Sequence, residues 1–251
     1  MPRKISATAS LLAAFVALGC ATTTPYEPYQ IPREQLHATV GTIAVFRLML
    51  PDDLENPDRV REKFEAMILT ALEREGYRTV PPQQVTPIWE EITTRLGGLF
   101  DPMTGARDEE KFETARLHAL QEIATRFGAD ALLHPSIQAV DAKFDSGTAR
   151  WCGSTQSMQS TGSSMLEALA GMSTSGTIKA TCLFVVVEDM SGVDLYKDMG
   201  GIEVLGSLVV GGFEARPQGE LFVNGERNQG AVASALGSLA RPGGAAAPPT
   251  D

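Results

Sequence analysis

The residues of this 251-residue chain best suited to covalent or metal chemistry are three cysteines, Cys20, Cys152 and Cys182, and three histidines, His37, His118 and His134. The histidines are scattered, and none falls in the H-E-x-x-H spacing that sets two imidazoles on one helix face. They read as solvated or packed side chains. No G-x-S-x-G elbow and no phosphate-binding Walker loop is present. The pairs Gly97-Gly98, Gly200-Gly201 and Gly211-Gly212 read as turns or bulges. Asp101, Asp108, Glu109 and Glu110 could offer oxygen ligands to calcium. Their spacing is not that of a helix-loop-helix site, and acids in a first helical turn are favoured by the helix dipole alone. The sequence therefore predicts no catalytic residue, no metal site and no cofactor.

Cys20 has a different setting. Arg3 and Lys4 precede an apolar stretch from Ile5 to Leu18, which is shorter than the roughly 20 residues needed to span a bilayer. A basic start before a short apolar core reads as a signal peptide over 1–19. The segment Ala17-Leu18-Gly19-Cys20 resembles the lipobox of bacterial lipoproteins. That resemblance implies cleavage before Cys20, lipidation of its thiol and anchoring to a membrane through it. The Ala21 that follows implies the outer membrane. The pattern usually has Leu at the place of Ala17 and a small residue at that of Leu18. A plain secretory signal is the alternative, since small residues at Ala17 and Gly19 also suit ordinary signal peptidase.

The remaining pair, Cys152 and Cys182, is a natural disulfide candidate in an oxidising compartment. Direct pairing of the two strands that carry them would set Cys152 opposite residues nearer Ile178, which counts against the bond and leaves two free buried thiols as the alternative. If formed, the bond is worth on the order of 3 kcal/mol in loop closure. Between the two cysteines lies a Ser-, Thr-, Gly- and Met-rich stretch, 154–175, read as a long loop. Its apolar points Met158, Met165, Leu166, Leu169 and Met172 make it a candidate partner-binding segment, because methionine adapts to varied surfaces.

The elements that must position these residues follow from patterning. Residues 20–37, with three threonines and three prolines after the cysteine, read as an extended tether. Residues 241–251 read as a disordered tail. Between them, 38–240 reads as one α/β domain, with helices packed on a mixed sheet and a hairpin-rich second half. Thr42 to Leu50 is apolar almost throughout, as in a strand buried on both faces. Asn56-Pro57 should cap a helix ending at Gly76, with Val60, Phe64, Ile68 and Leu72 on its inner face. A short strand to Val80, a helix from Thr86-Pro87 and another from Asp108 to Gly128 follow. The stretch from Asp130 to Phe144 reads as a long strand in which Pro135 implies a bulge or an edge. Then come strands over Thr148–Cys152, Ile178–Val187, Val193–Tyr196 and Ile202–Val210, and a last helix over Gly225–Leu239.

This layout, with Gly128-Ala129-Asp130 at its centre, resembles the small α/β domains of outer-membrane lipoproteins related to the periplasmic domain of the curli secretion channel. It is also similar to the N-terminal domain of TolB and to lipoprotein activators of penicillin-binding proteins. Uncharacterised proteobacterial lipoproteins of this class carry a DP-TG loop, here Asp101-Pro102-Met103-Thr104-Gly105. They also carry a W-D-G motif, here Trp151-Cys152-Gly153 with cysteine in place of the acid. The resemblance implies a non-enzymatic interaction or assembly factor of the cell envelope with a periplasmic protein partner. An oligomeric secretion-type component and a hydrolase with an unrecognised site are the alternatives. Charge supports part of this. The chain carries −10, and removal of 1–19 leaves 19 basic against 31 acidic residues. Such a surface argues against nucleic acid, which is bound by basic patches.

Overall fold

In the computed structural model the described residues are 26–145, 147–157, 175–209 and 212–241. They form a single α/β domain around a mixed sheet of seven strands. Two long strands are its spine: β3 (Ala131–Asp145) and β6 (Ser175–Asp189) pair antiparallel without a register shift from Ala131↔Asp189 to Asp145↔Ser175. On the other flank of β3, β1 (Thr42–Val45) pairs parallel with one end, and β4 (Thr148–Trp151) pairs antiparallel with the opposite end. β2 (Arg78–Val80) extends the sheet beyond β1, β5 (Ser154–Ser157) beyond β4, and β7 (Asp194–Val204) beyond β6. A separate hairpin joins β8 (Gly206–Val209) to β9 (Gly212–Ala215).

Helices α1 (Arg33–Thr39), α2 (Pro57–Arg74) and α5 (Gly225–Gly237) cover one face. Their core joins Leu36, Phe64, Ile68, Leu72 and Leu236 to Ile43, Val45, Leu133, Val185 and Tyr196 of the sheet. α3 (Pro82–Arg95) and α4 (Glu109–Phe127) cover the other face, on Ala44 and Leu132. Alternation along a strand sends Ile43 and Ala44 to opposite cores, so every residue of β1 is buried, as its unbroken apolar run requires. Strand alternation puts a third cluster, Ala142, Phe144, Trp151, Ala180 and Cys182, on the α3/α4 side but beyond those helices. There the β4–β5 hairpin supplies the cover.

Several expectations need correction. The tether expected over 20–37 is already structured from Tyr26 onward. Lys197 N donates to Pro28 O at 2.8 Å, Gln30 N donates to Leu195 O at 2.9 Å, and Tyr29 bridges Tyr196. α1 follows, with Leu36 fully buried. The outer edge of β7 offers unpaired backbone groups that this proline-rich segment satisfies, and α1 then seals the sheet. At the other end Arg241 is held too, donating to His37 O at 3.2 Å and to Val40 O.

Pro135 lies in the centre of the sheet, neither at an edge nor at a bulge. Its carbonyl accepts from Met49 N, so its ring nitrogen faces the flank where β1 has ended at Val45, and no ladder bond is lost. Asn56 stands before α2 in a left-handed conformation (φ 54°) and makes no side-chain cap. α3 starts at Pro82 rather than Thr86, taking Pro87 into its interior. The two strands expected around 193–210 are one strand, β7, followed by β8. Residues 154–157 of the expected loop are strand β5. Gly128-Ala129-Asp130 holds the domain together: Gly128 ends α4 in a left-handed turn, Ala129 is buried, and Asp130 Oδ2 accepts from Gly41 N (2.8 Å) and Thr42 N (2.9 Å).

Candidate functional site

One concave part of the described structure is built on the β4–β5 hairpin. Trp151 pairs with Ser154 across a two-residue turn, Cys152-Gly153, in which both residues have positive φ (42° and 72°). Such a turn matches the twist of a tight hairpin. The hairpin lies over β6 and β7, and four contacts pin its turn end. Trp151 Nε1 donates to Thr181 O at 2.9 Å. Gly201 N donates to Cys152 O at 3.0 Å. Ser154 Oγ donates to Gly201 O at 3.0 Å. Cys152 and Cys182 form a disulfide with their Cα atoms 6.3 Å apart. The offset expected from direct pairing of β4 with β6 does not arise. In the structure β4 pairs with β3 and β5, so the turn is carried across the sheet and sets Cys152 over Cys182.

Gly200 and Gly201 make this crossing possible. They sit mid-strand in β7, beside a register shift, with their missing side chains on opposite faces. A Cβ on Gly200 would lie 2.0 Å from Ala231 O of α5, and one on Gly201 would lie 2.6 Å from Trp151 Nε1. One glycine admits α5 and the next admits the hairpin.

Two cavities flank α5 and meet at Gly230. The smaller, of about 290 Å³, is lined by Trp151, Ser154, Thr155 and Gln156 of the hairpin and by Arg227 and Ser234 of α5. The larger, of about 630 Å³, is a groove between Ala66, Met67, Thr70 and Arg74 of α2 and Gln229 and Ala233 of α5. Arg227 was not picked out by sequence reading. An arginine in a first helical turn usually lies in solvent, and only the fold brings the hairpin up beside it.

A second polar cluster lies on the α3/α4 face. Glu188, 4% exposed, is hydrogen-bonded to His134 Nε2 at 2.6 Å and takes a contact from Arg116, which also bonds Glu113 at 2.7 Å. The Phe46 ring lies 5.7 Å from that of His134, and Trp89 stands 6.0 Å beyond Phe46. A carboxylate thus holds a histidine, but among the described residues no serine, threonine or cysteine hydrogen-bonds to that histidine. The arrangement ties α4 to β6. His37 is held by Tyr77 Oη (3.2 Å) and Arg33, and burial together with Arg33 and Arg241 lowers its pKa. Asp101 folds its loop by accepting from Met103 N and Thr104 N, both at 2.8 Å, and these bonds lower its pKa. Asp108 caps α4 through Lys111 N. Among the described residues no group of three or more His, Cys, Asp or Glu side chains could hold a metal ion.

Cys20 and the points Met158, Met165, Leu166, Leu169 and Met172 lie outside the described residues. No described helix is long and apolar enough to cross a membrane.

No family model and no curated protein matches the chain. Among solved structures it is similar to the lipoprotein GNA1162 of Neisseria meningitidis, at 17% identity and a TM-score of 0.32, over 65% of this chain and 82% of that one. It is also similar to a PelC dodecamer from Paraburkholderia phytofirmans, at 12% identity and a TM-score of 0.36, over 86% and 96%. Both likenesses are distant, and neither bears on a specific function.

Proposed function

We propose that this protein is a lipid-anchored, non-enzymatic interaction or assembly factor of the cell envelope, attached to the outer membrane through Cys20. The reading rests on the lipobox-like Ala17–Cys20, and the way the body begins supports it. Tyr26 is already bound, its hydroxyl donating to Lys197 O at 2.8 Å. The six-residue step from Cys20 to Tyr26 can span at most about 20 Å. An anchor at Cys20 would hold the domain close to the bilayer rather than on a long leash. The acidic surface gains nothing from anionic lipid, so the acyl chains would have to supply the attachment.

The experiment is palmitate labelling of the full chain in cells, followed by membrane fractionation and crosslinking. The wild type should carry label, fractionate with outer membranes and crosslink to a periplasmic protein. Cys20→Ser should carry no label and leave the membrane fraction. An unlabelled wild type recovered in soluble periplasm would refute the anchor. A labelled wild type without any crosslinked protein would refute the interaction role.

A further inference from the structure

We infer that the cavity between the β4–β5 hairpin and α5 is a binding site for a small oxyanion, a phosphate or carboxylate carried on a hydroxyl-rich body. Arg227 is the central residue of this site. It is partly buried, it lines the cavity, and its guanidinium has no carboxylate or carbonyl partner among the described residues. The other described cations without such a partner, Arg59, Arg78, Lys143 and Arg150, are all exposed to solvent. A half-buried guanidinium has lost part of its hydration, and its planar fork of donors fits the two oxygens of a carboxylate or phosphate.

The neighbours complete the pattern. Gln156 Oε1 accepts from Val204 N at 3.3 Å, and among the described residues the two amide protons on Nε2 have no acceptor. Thr155, an exposed residue of β5, also lines the cavity. Ser154 and Ser234 have spent their protons on Gly201 O (3.0 Å) and Met199 O (3.3 Å). Both serines line the cavity, and their oxygens keep acceptor capacity. Donors that suit an anion thus stand beside acceptors that suit hydroxyl groups. At about 290 Å³ the space is at the small end of ligand pockets and fits one sugar-sized molecule. Of the charged residues lining the adjoining groove, Arg74 adds to the positive field and Glu226 opposes it.

The test is titration of the purified, oxidised protein with glucose 6-phosphate, glucuronate and, as the neutral control, glucose. Calorimetry gives the affinity. The indole N–H resonances locate the site, because the chain has only two tryptophans and Trp151 lines the cavity whereas Trp89 does not. At least one anion should bind and shift the Trp151 signal while leaving that of Trp89 in place. The stronger of the two identifies the oxyanion as phosphate or carboxylate. Arg227→Gln should weaken that binding by about tenfold or more. It should fold as the wild type does, since among the described residues the guanidinium has no hydrogen-bond partner to lose, and Arg59→Gln should bind unchanged. The inference is overturned if neither anion binds at millimolar concentration, if glucose binds as well as they do, or if Arg227→Gln binds unchanged.

Discussion

Gly200 shows how far one side chain can decide a layer. The carbonyl of Ala231 occupies the place where a methyl group would go. Because that neighbour is backbone, a rotamer change cannot relieve the clash. Gly200→Ala should cost about 3 kcal/mol, at the upper end of ordinary overpacking, read as a lower urea midpoint with an unchanged slope. Glu65 makes the opposite case. It is buried, with Leu48 N donating to Oε1 at 2.9 Å, and burial raises its pKa against the pull of that bond and of Arg61 and Arg47. The native state therefore holds this proton more tightly than the unfolded chain. The resulting stability is full below the unfolded pKa of 4.5 and is lost as pH rises through the higher folded value. Glu65→Gln keeps an acceptor for Leu48 and removes the titration. Urea unfolding across pH 4 to 7 should show the variant at least as stable as wild type near neutrality, losing ground as the pH falls. Parallel curves would show that the buried carboxylate does not titrate in this way.

At the scale of elements, the hairpin and the N-terminal segment both act as fasteners, and they differ in how visible they are in the sequence. α4 was legible at both ends, because Asp108 accepts from Lys111 N and Gly128 takes the left-handed turn that glycine favours. The buried strand β1 was legible in its apolar start, but it covers only Thr42–Val45 of the run expected to reach Leu50. The segment from Tyr26 to Thr39 was not. Its prolines suggest an extended chain, and composition carries no sign that a sheet edge waits for its backbone. The placement of Cys152 was also hidden, since it depends on a hairpin folded across the sheet rather than on strand order. Replacing both cysteines by serine should cost about 3 to 4 kcal/mol through the loop the bond closes. Thermal unfolding with and without a dithiol should reproduce that difference in the wild type and show none in the double variant. For the N-terminal segment, Tyr29→Ala removes a ring that stacks edge-on with Tyr196 at 5.5 Å and a hydroxyl that donates to Ser238 O. Amide exchange at Leu195 to Lys197 should then rise more than exchange in β3.

At the scale of the whole molecule, the sheet divides the work. Three helices cover one face as far as Ile137 of β3, beyond which Asp141 and Lys143 on the same side of that strand are exposed. The other is shared between α3 with α4 and the disulfide-held hairpin. Two concave features among the described residues lie around α5, where small residues leave room. Sequence patterning located the helices and strands but not this concavity, because it arises from residues of α2, the hairpin and α5 that lie far apart in the chain. If the anchor reading holds, lengthening the chain between Cys20 and Tyr26 with a flexible insert should leave stability unchanged. Crosslinking to a partner should fall as the insert lengthens, since the body would no longer be confined near the bilayer.

The bond between Cys152 and Cys182 also has a topological consequence. It closes a covalent ring that contains every residue from 153 to 181. A protease that cuts once inside that ring opens it without separating the two halves. The nicked protein would migrate as one species on a non-reducing gel and as two fragments after reduction. Damage of this kind would pass unseen in any assay run without a thiol.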